Sequence, residues 1–247
     1  MTTLSGGDCG GSADSREEPL TGLAGEAFVA IWYDIVPEGK SEYYAWHTRE
    51  HMPERLAVEG FLRGRRYVAE RGDPEYFNLY EVQTAEVLTG EAYLTRLNNP
   101  TPWTHRALPY FRKVSRSLCR LGASLGRSQG GVILTVRFES AAGQEERLAR
   151  FLADEALPRA FDRPGVVGVH FGTADRSGSE IETMERKARG NLTLVPGWVL
   201  LLEGVSQEAV EAAACGLAVL EERGAKGPLE QGTYRLECCL SRAGHIE

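Results

Sequence analysis

Two imidazoles and a carboxylate crowd into one short stretch, Trp46-His47-Thr48-Arg49-Glu50-His51-Met52-Pro53. On a helix, at about 100° per residue, Tyr43, Tyr44, Trp46, His47, Glu50 and His51 share one hemisphere. The other side carries Glu42, Ala45, Thr48, Arg49 and Met52. A surface helix ordinarily buries Leu, Ile and Val, whereas this one presents aromatics with ionisable groups. Burying such groups without partners is costly, so the face predicts either a satisfied polar network or a pocket. An imidazole, with an ordinary pKa of about 6.5, takes or gives a proton near neutral pH. In the pocket reading, His51 is the general acid/base, His47 and Glu50 assist it, and Tyr44, Trp46 and Trp103 are apolar walls. His47 and His51 also have the i, i+4 spacing of metal ligands. A catalytic metal wants a third ligand, which Glu50 or His105 could supply, but the segment is not H-E-x-x-H. No metal or organic cofactor is therefore predicted.

These residues need a scaffold. Ala27–Ile35 is rich in β-formers and predicts a strand. A turn at Pro37–Ser41 leads into a helix over Glu42–Met52, which Pro53 ends or kinks, with one further turn over Glu54–Val58. Strands follow at Phe61–Ala69, Tyr76–Val82 and Lys113–Leu121, with a helix over Thr84–Leu97 stopped by Asn98-Asn-Pro-Thr-Pro102. The order β-α-β-β-α-β is that of a ferredoxin-like fold. On the second strand Arg66, facing an anionic group, and Tyr67 are further candidate substrate contacts.

The same order returns after a Gly/Ser-rich linker, residues 122–131: strand Val132–Phe138, helix Gln144–Ala156, strands Val166–Gly172 and Trp198–Glu203, helix Ser206–Glu222, strand Gly232–Leu240. Pro53 precedes Gly60, and Pro158 precedes Gly165, by the same spacing, at an offset of 105. The fold class expected is therefore α+β, two tandem ferredoxin-like βαββαβ repeats packed sheet to sheet as a pseudo-dimeric α/β barrel. Residues 1–25 predict a disordered tail, 26–121 a site-bearing repeat and 132–242 a degenerate one. The offset sets His47 against Leu152, Glu50 against Glu155 and His51 against Ala156, so the second repeat lacks both imidazoles. A polar insertion over 173–191, without periodicity, predicts a mobile loop or lid.

The chain of 247 residues carries a net charge of −7 with no basic stripe, which argues against nucleic acid and anionic membranes. No segment approaches the roughly 18 apolar residues of a membrane span. Five cysteines without a C-x-x-C pair read as reduced thiols of a cytoplasmic protein. No G-x-G-x-x-G after a strand, Walker A or G-x-S-x-G is present.

The run Trp46-His-Thr-Arg-Glu-His-Met-Pro-Glu-Arg-Leu56 and then Gly60-Phe-Leu-Arg-Gly-Arg-Arg-Tyr67 resembles the helix 1 to strand 2 segment of the dimeric α/β-barrel superfamily, EthD-like proteins above all. Asn98–Thr104 is similar to a recurring segment of its uncharacterised members. Glu59 departs from the pattern, which has Pro before Gly60. The resemblance implies ligands held between helices and sheet, in a superfamily of cofactor-independent monooxygenases, isomerases, cyclases, dehydratases and haem enzymes. The expectation is a small-molecule enzyme without organic cofactor, doing His-based acid/base chemistry (isomerase, cyclase, dehydratase or lyase) on an aromatic or polyketide-like carbonyl compound. The alternatives are a cofactor-independent monooxygenase and a non-catalytic ligand-binding module. The partner expected is the small-molecule substrate alone, in a monomer with a pseudo-dimeric barrel or a homodimer.

Overall fold

The computed structural model describes residues 22–190 and 193–242. Eight strands, β1 (Ala27–Ile35), β2 (Phe61–Arg71), β3 (Tyr76–Val82), β4 (Phe111–Leu125), β5 (Val132–Ser140), β6 (Val166–Ala174), β7 (Trp198–Gly204) and β8 (Ala225–Ser241), close into one antiparallel barrel. Round the barrel the order is β1-β3-β2-β8-β5-β7-β6-β4. Each half contributes its strands as 4-1-3-2, and the seams are β2–β8 and β4–β6. Closure leaves no strand edge among the eight unpaired.

The seams explain why β4 and β8 run longer than their composition predicts. Gly122, Ala123 and Ser124 are poor strand formers, yet Ala123 pairs with Phe171 and Ser124 with His170 across the second seam. A Cβ on Gly122 would lie 2.2 Å from the Phe171 ring, so only glycine lets the seam close there. The expected linker at 122–131 thus begins as strand. Of the expected tail, residues 1–21 lie outside the described residues. Residues 22–25 belong to the barrel: the Gly22 amide donates to the Gly126 carbonyl at 2.7 Å, and Leu23 is buried in the barrel interior.

Outside the barrel lie α1 (Lys40–Trp46), a π-helical turn His47–His51 and α2 (Met52–Leu56), which run on as one rod. The helix therefore does not stop at Pro53. That proline has no N–H to donate to Arg49, and the Met52 amide reaches back five residues to the His47 carbonyl instead. The second half repeats the device in α5 (Glu145–Phe151), a π turn Leu152–Ala156 and α6 (Leu157–Phe161), with Pro158 in the equivalent place. The helix expected over Thr84–Leu97 is regular only as α3 (Glu91–Asn98), followed by α4 (Pro102–Ala107), capped by the Thr101 hydroxyl. The insertion expected to be a mobile loop forms α7 (Arg176–Glu180) and α8 (Met184–Arg189). Side-chain caps from Asp175 to Gly178 N and from Thr183 to Arg186 N start them, which an apolar-periodicity reading does not see. In the second half, α9 (Gln207–Ala214) completes the set.

Strand alternation sorts side chains between two layers. From β3, Phe77 and Leu79 enter the barrel interior, while Tyr76 and Tyr80 join the cores under the helices. From β2, Tyr67 is interior with Arg65, which holds Glu203 with both guanidinium ends at 2.8 and 3.0 Å and Glu81 at 2.9 Å. Breaking such a buried network by removing one partner typically costs about 3–5 kcal/mol.

Candidate functional site

The π turn fixes the site. Widening the helix by one residue turns His47 and His51 toward the sheet beneath Trp46. His51 packs its ring against Trp46 at 4.3 Å between centroids. Beneath them, Ile31, Tyr33, Asn78 and Tyr80 form a floor, and Leu97, Leu108 and Phe111 form walls. The cavity so enclosed has a volume of about 40 Å³. It is also lined by Arg55, Tyr93, Arg116, Glu185 and Arg189. Wider grooves of about 520 and 210 Å³ lie at the barrel mouth around Lys113, Arg137 and Leu194. Lys113 there is paired with Asp34 and Asp73, and Arg137 with Glu230, and no imidazole is among the lining residues.

His47 is locked. Arg66 Nη1 stands 3.3 Å from its Nδ1, and the Asn78 carboxamide stands 2.7 Å from its Nε2. A guanidinium only donates, so Nδ1 must accept and the ring proton sits on Nε2. The Asn78 atom at that nitrogen is Nδ2, and Oδ1 is buried without a partner; turning the amide over lets Oδ1 accept from Nε2–H, and that orientation is the one we assign. Tyr80 Oη lies 3.3 Å from the same nitrogen. Burial, then Arg66 and Arg55, hold the His47 pKa well below the ordinary value, so the ring is neutral.

His51 differs. Neither of its nitrogens bonds to a described residue, and Nδ1 is buried without a partner. Burial is again the largest cause that lowers its pKa, followed by Arg55, His47 and Arg189. It is a neutral imidazole with an unclaimed lone pair.

The other expected residues spread out. Trp46 lines the cavity and donates from Nε1 to Thr104 Oγ1 at 3.1 Å. Arg66 and Tyr44 stand behind His47, both bonded to Glu237, at 3.0 and 3.1 Å. Glu50 turns toward α4, where the Thr101 hydroxyl donates to it at 2.5 Å, and it touches neither imidazole. Trp103 is held by Glu42 at 2.8 Å, outside the cavity lining. Tyr67 lies inside the barrel, on the opposite face of the sheet from Arg66.

The two imidazoles do not fit a shared metal. Both His47 nitrogens are engaged, and His51 faces guanidinium groups that disfavour a cation. Among the described residues no group of three His, Cys, Asp or Glu side chains converges.

The second half fills the same place with hydrocarbon. Register sets Ala27 against Val82 and Val132 against Gly204, offsets of 105 and 122 between halves. His47, His51 and Arg55 then correspond to Leu152, Ala156 and Ala160, and Asn78 and Tyr80 to Leu200 and Leu202. All five counterparts belong to one buried apolar cluster.

Sequence reasoning missed Arg55, Asn78, Tyr80, Arg116, Glu185 and Arg189. Asn78 was readable as a carboxamide in the middle of a strong β run. Arg55 lies four residues beyond His51, on the further turn expected over Glu54–Val58, but a break or kink at Pro53 gave no reason to carry the His51 face onto that turn.

No protein-family model and no curated protein sequence matches the chain. Solved structures do. An anthrone oxidase-like protein superposes with a TM-score of 0.60 at 13% identity, over 90% of this chain and 95% of that one. A candidate monooxygenase from Fusobacterium nucleatum gives 0.55 at 10% identity, over 90% and 97%. One from Lactobacillus acidophilus gives 0.53 at 13%, over 88% and 97%. At these identities the likeness shows the fold, that of the dimeric α/β barrels.

Proposed function

We propose that the chain is a small-molecule enzyme working without an organic cofactor, with His51 as its general base. The observation that carries this reading is the His51 imidazole, half-buried in the cavity lining with an Nδ1 that is buried and without a partner among the described residues, beside a His47 whose two nitrogens are both taken. A neutral imidazole is the form that accepts a proton. The substrate is an aromatic or polyketide-like CH or OH acid next to a carbonyl. His51 takes that proton, the electron pair moves onto the carbonyl oxygen, and Tyr80 or a guanidinium donates to the resulting enolate.

Two courses follow. Reprotonation at another carbon, or loss of a leaving group, gives an isomerase, cyclase, dehydratase or lyase. Attack of the enolate on dioxygen, then loss of water from the hydroperoxide, converts a CH₂ to a carbonyl and gives a monooxygenase. The names of the three structural neighbours favour the second course. Retention of ligands without turnover would make the chain a binding module instead.

The hydrocarbon filling of the second half supports a further part of the reading. The chain is a fusion of two copies of one EthD-like unit, in which one copy kept a site and the other became scaffold. Such a chain needs no second copy to complete its barrel.

The test is incubation with a panel of aromatic CH acids in D₂O, anthrone among them, with deuterium entry followed by NMR and oxygen by electrode. Deuterium entry with oxygen uptake assigns the monooxygenase course, and deuterium entry alone assigns proton transfer. Neither, across compounds that bind, overturns the enzyme reading.

A further inference from the structure

The cavity holds more positive charge than its walls neutralise. Arg55, Arg116 and Arg189 line it, and Glu185 is the one carboxylate among the lining residues. The next carboxylate, Glu54, is not in the lining and is paired with Arg96 at 3.3 Å. Both histidines are neutral, so they offer no compensation. Burial lowers the Arg189 pKa to about 10, which leaves it protonated at neutral pH.

The donors are also not used up. Arg55, 2% exposed, pairs through Nη2 with Glu185, while its Nη1 is buried without a partner among the described residues. Nε of Arg189 is buried and unpartnered in the same way. Guanidinium groups in this state call for a planar anion that accepts several hydrogen bonds at once.

Glu185 comes from the least embedded wall. It is the only buried residue of α8, and its ion pair with Arg55 anchors that helix to the site. With the pair made, the volume of about 40 Å³ suits a few water molecules. A benzene ring needs a cavity of about 150 Å³. Entry of an aromatic ligand therefore requires a wall to move; α8 is tied at its start by the Met184 amide donating to Asn98 Oδ1 at 3.2 Å and packs through Ala188, while Glu185 is its one ion pair into the cavity.

We propose that the substrate carries a carboxylate which binds Arg55 of α2, with Arg116 of β4 also in the lining, and that Glu185 occupies this place until the substrate displaces it and α8, carrying Glu185 and Arg189, swings aside. Glu185 is an internal stand-in for the ligand, and α8 is a lid that opens by exchange of one carboxylate for another. This rests on the cavity being the working site. It adds the substrate class and the way in. It also gives the depressed His51 a role, since a bound anion cancels the field of the guanidinium groups and makes the imidazole a stronger base when substrate is present.

The experiment is calorimetric titration of the full chain with benzoate and with benzamide, which has nearly the same shape and no charge. Benzoate is expected to bind at least tenfold more tightly than benzamide. Glu185→Gln removes the competitor and should raise benzoate affinity about tenfold, with benzamide affinity unchanged. Arg55→Met should lower benzoate affinity at least tenfold. Should that variant fail to fold, Arg116→Met, on β4 in the same lining, serves in its place. Equal binding of the two probes, no benzoate binding by either the parent chain or Glu185→Gln, or a loss of affinity in Glu185→Gln would each overturn the proposal. His51→Asn separates this from the catalytic reading, because it should lose exchange while still preferring benzoate to benzamide at least tenfold. Benzoate binding with exchange that survives His51→Asn sinks the base assignment alone. His51-dependent exchange without benzoate preference sinks the carboxylate alone.

Discussion

The rings of His47 and His51 stand 5.5 Å apart, and only His51 keeps a nitrogen that no described residue binds. One helical turn thus separates a ring that holds the site together from a ring that is free to act. The difference follows from Arg66 on β2 and Asn78 on β3, which reach the first ring from the sheet and not the second.

That difference predicts unlike stability effects. His47→Ala leaves Arg66 and Asn78 without their shared partner in a buried place, and it should lower unfolding free energy by about 2–4 kcal/mol. His51→Asn strands no partner and should change it by less than about 1 kcal/mol. Urea denaturation of both variants checks the order.

Both histidines have folded pKa values below the unfolded value of about 6.5. As pH falls through about 6.5 the unfolded chain takes up protons that the folded chain refuses, so stability is lost on the acid side. The slope from these two groups is about 2.7 kcal/mol per pH unit below that point, and zero well above it. His47→Gln should halve the slope. Denaturation midpoints from pH 7.5 to 5.5 measure it.

Asn78→Asp tests the contact between position 78 and the His47 ring. A carboxylate at this position accepts from Nε2–H and adds a negative charge, which raises the His47 pKa. The acid-side loss of stability should then be shallower than in the parent chain. An unchanged slope would mean that position 78 does not reach the His47 ring.

The Arg55–Glu185 pair anchors α8, so Glu185→Ala should release it locally. Amides of Met184–Arg189 should exchange at least tenfold faster, while those of β1 and β3 keep their protection. Exchange that rises equally in the barrel strands would instead make the pair a global support.

The strand order was legible because alternation and β-branched runs are local signals, and β1 and β3 stand where composition put them. The ends of β4 and β8 were not, since Gly122–Ser124 become strand only through pairing across the seam. In the site, His51, His47 and Trp46 were legible as an odd helix face. Glu50 was drawn to the same face by an ideal helical period, but Thr101 at the start of α4 takes it; Trp103, expected as a wall from the segment around Pro102, is held by Glu42 instead. Tyr67 could not share a face with Arg66 on one strand. Arg55 and the α8 residues depended on a π turn and on capping in a polar stretch, and neither leaves an apolar period to read.

Deuterium exchange into whichever CH acid the parent chain labels fastest, repeated with His51→Asn alongside thermal unfolding, tests the central claim most directly. The account predicts that exchange falls at least a hundredfold while the unfolding temperature stays within a few degrees. Exchange at the parent rate in a folded His51→Asn chain would contradict it.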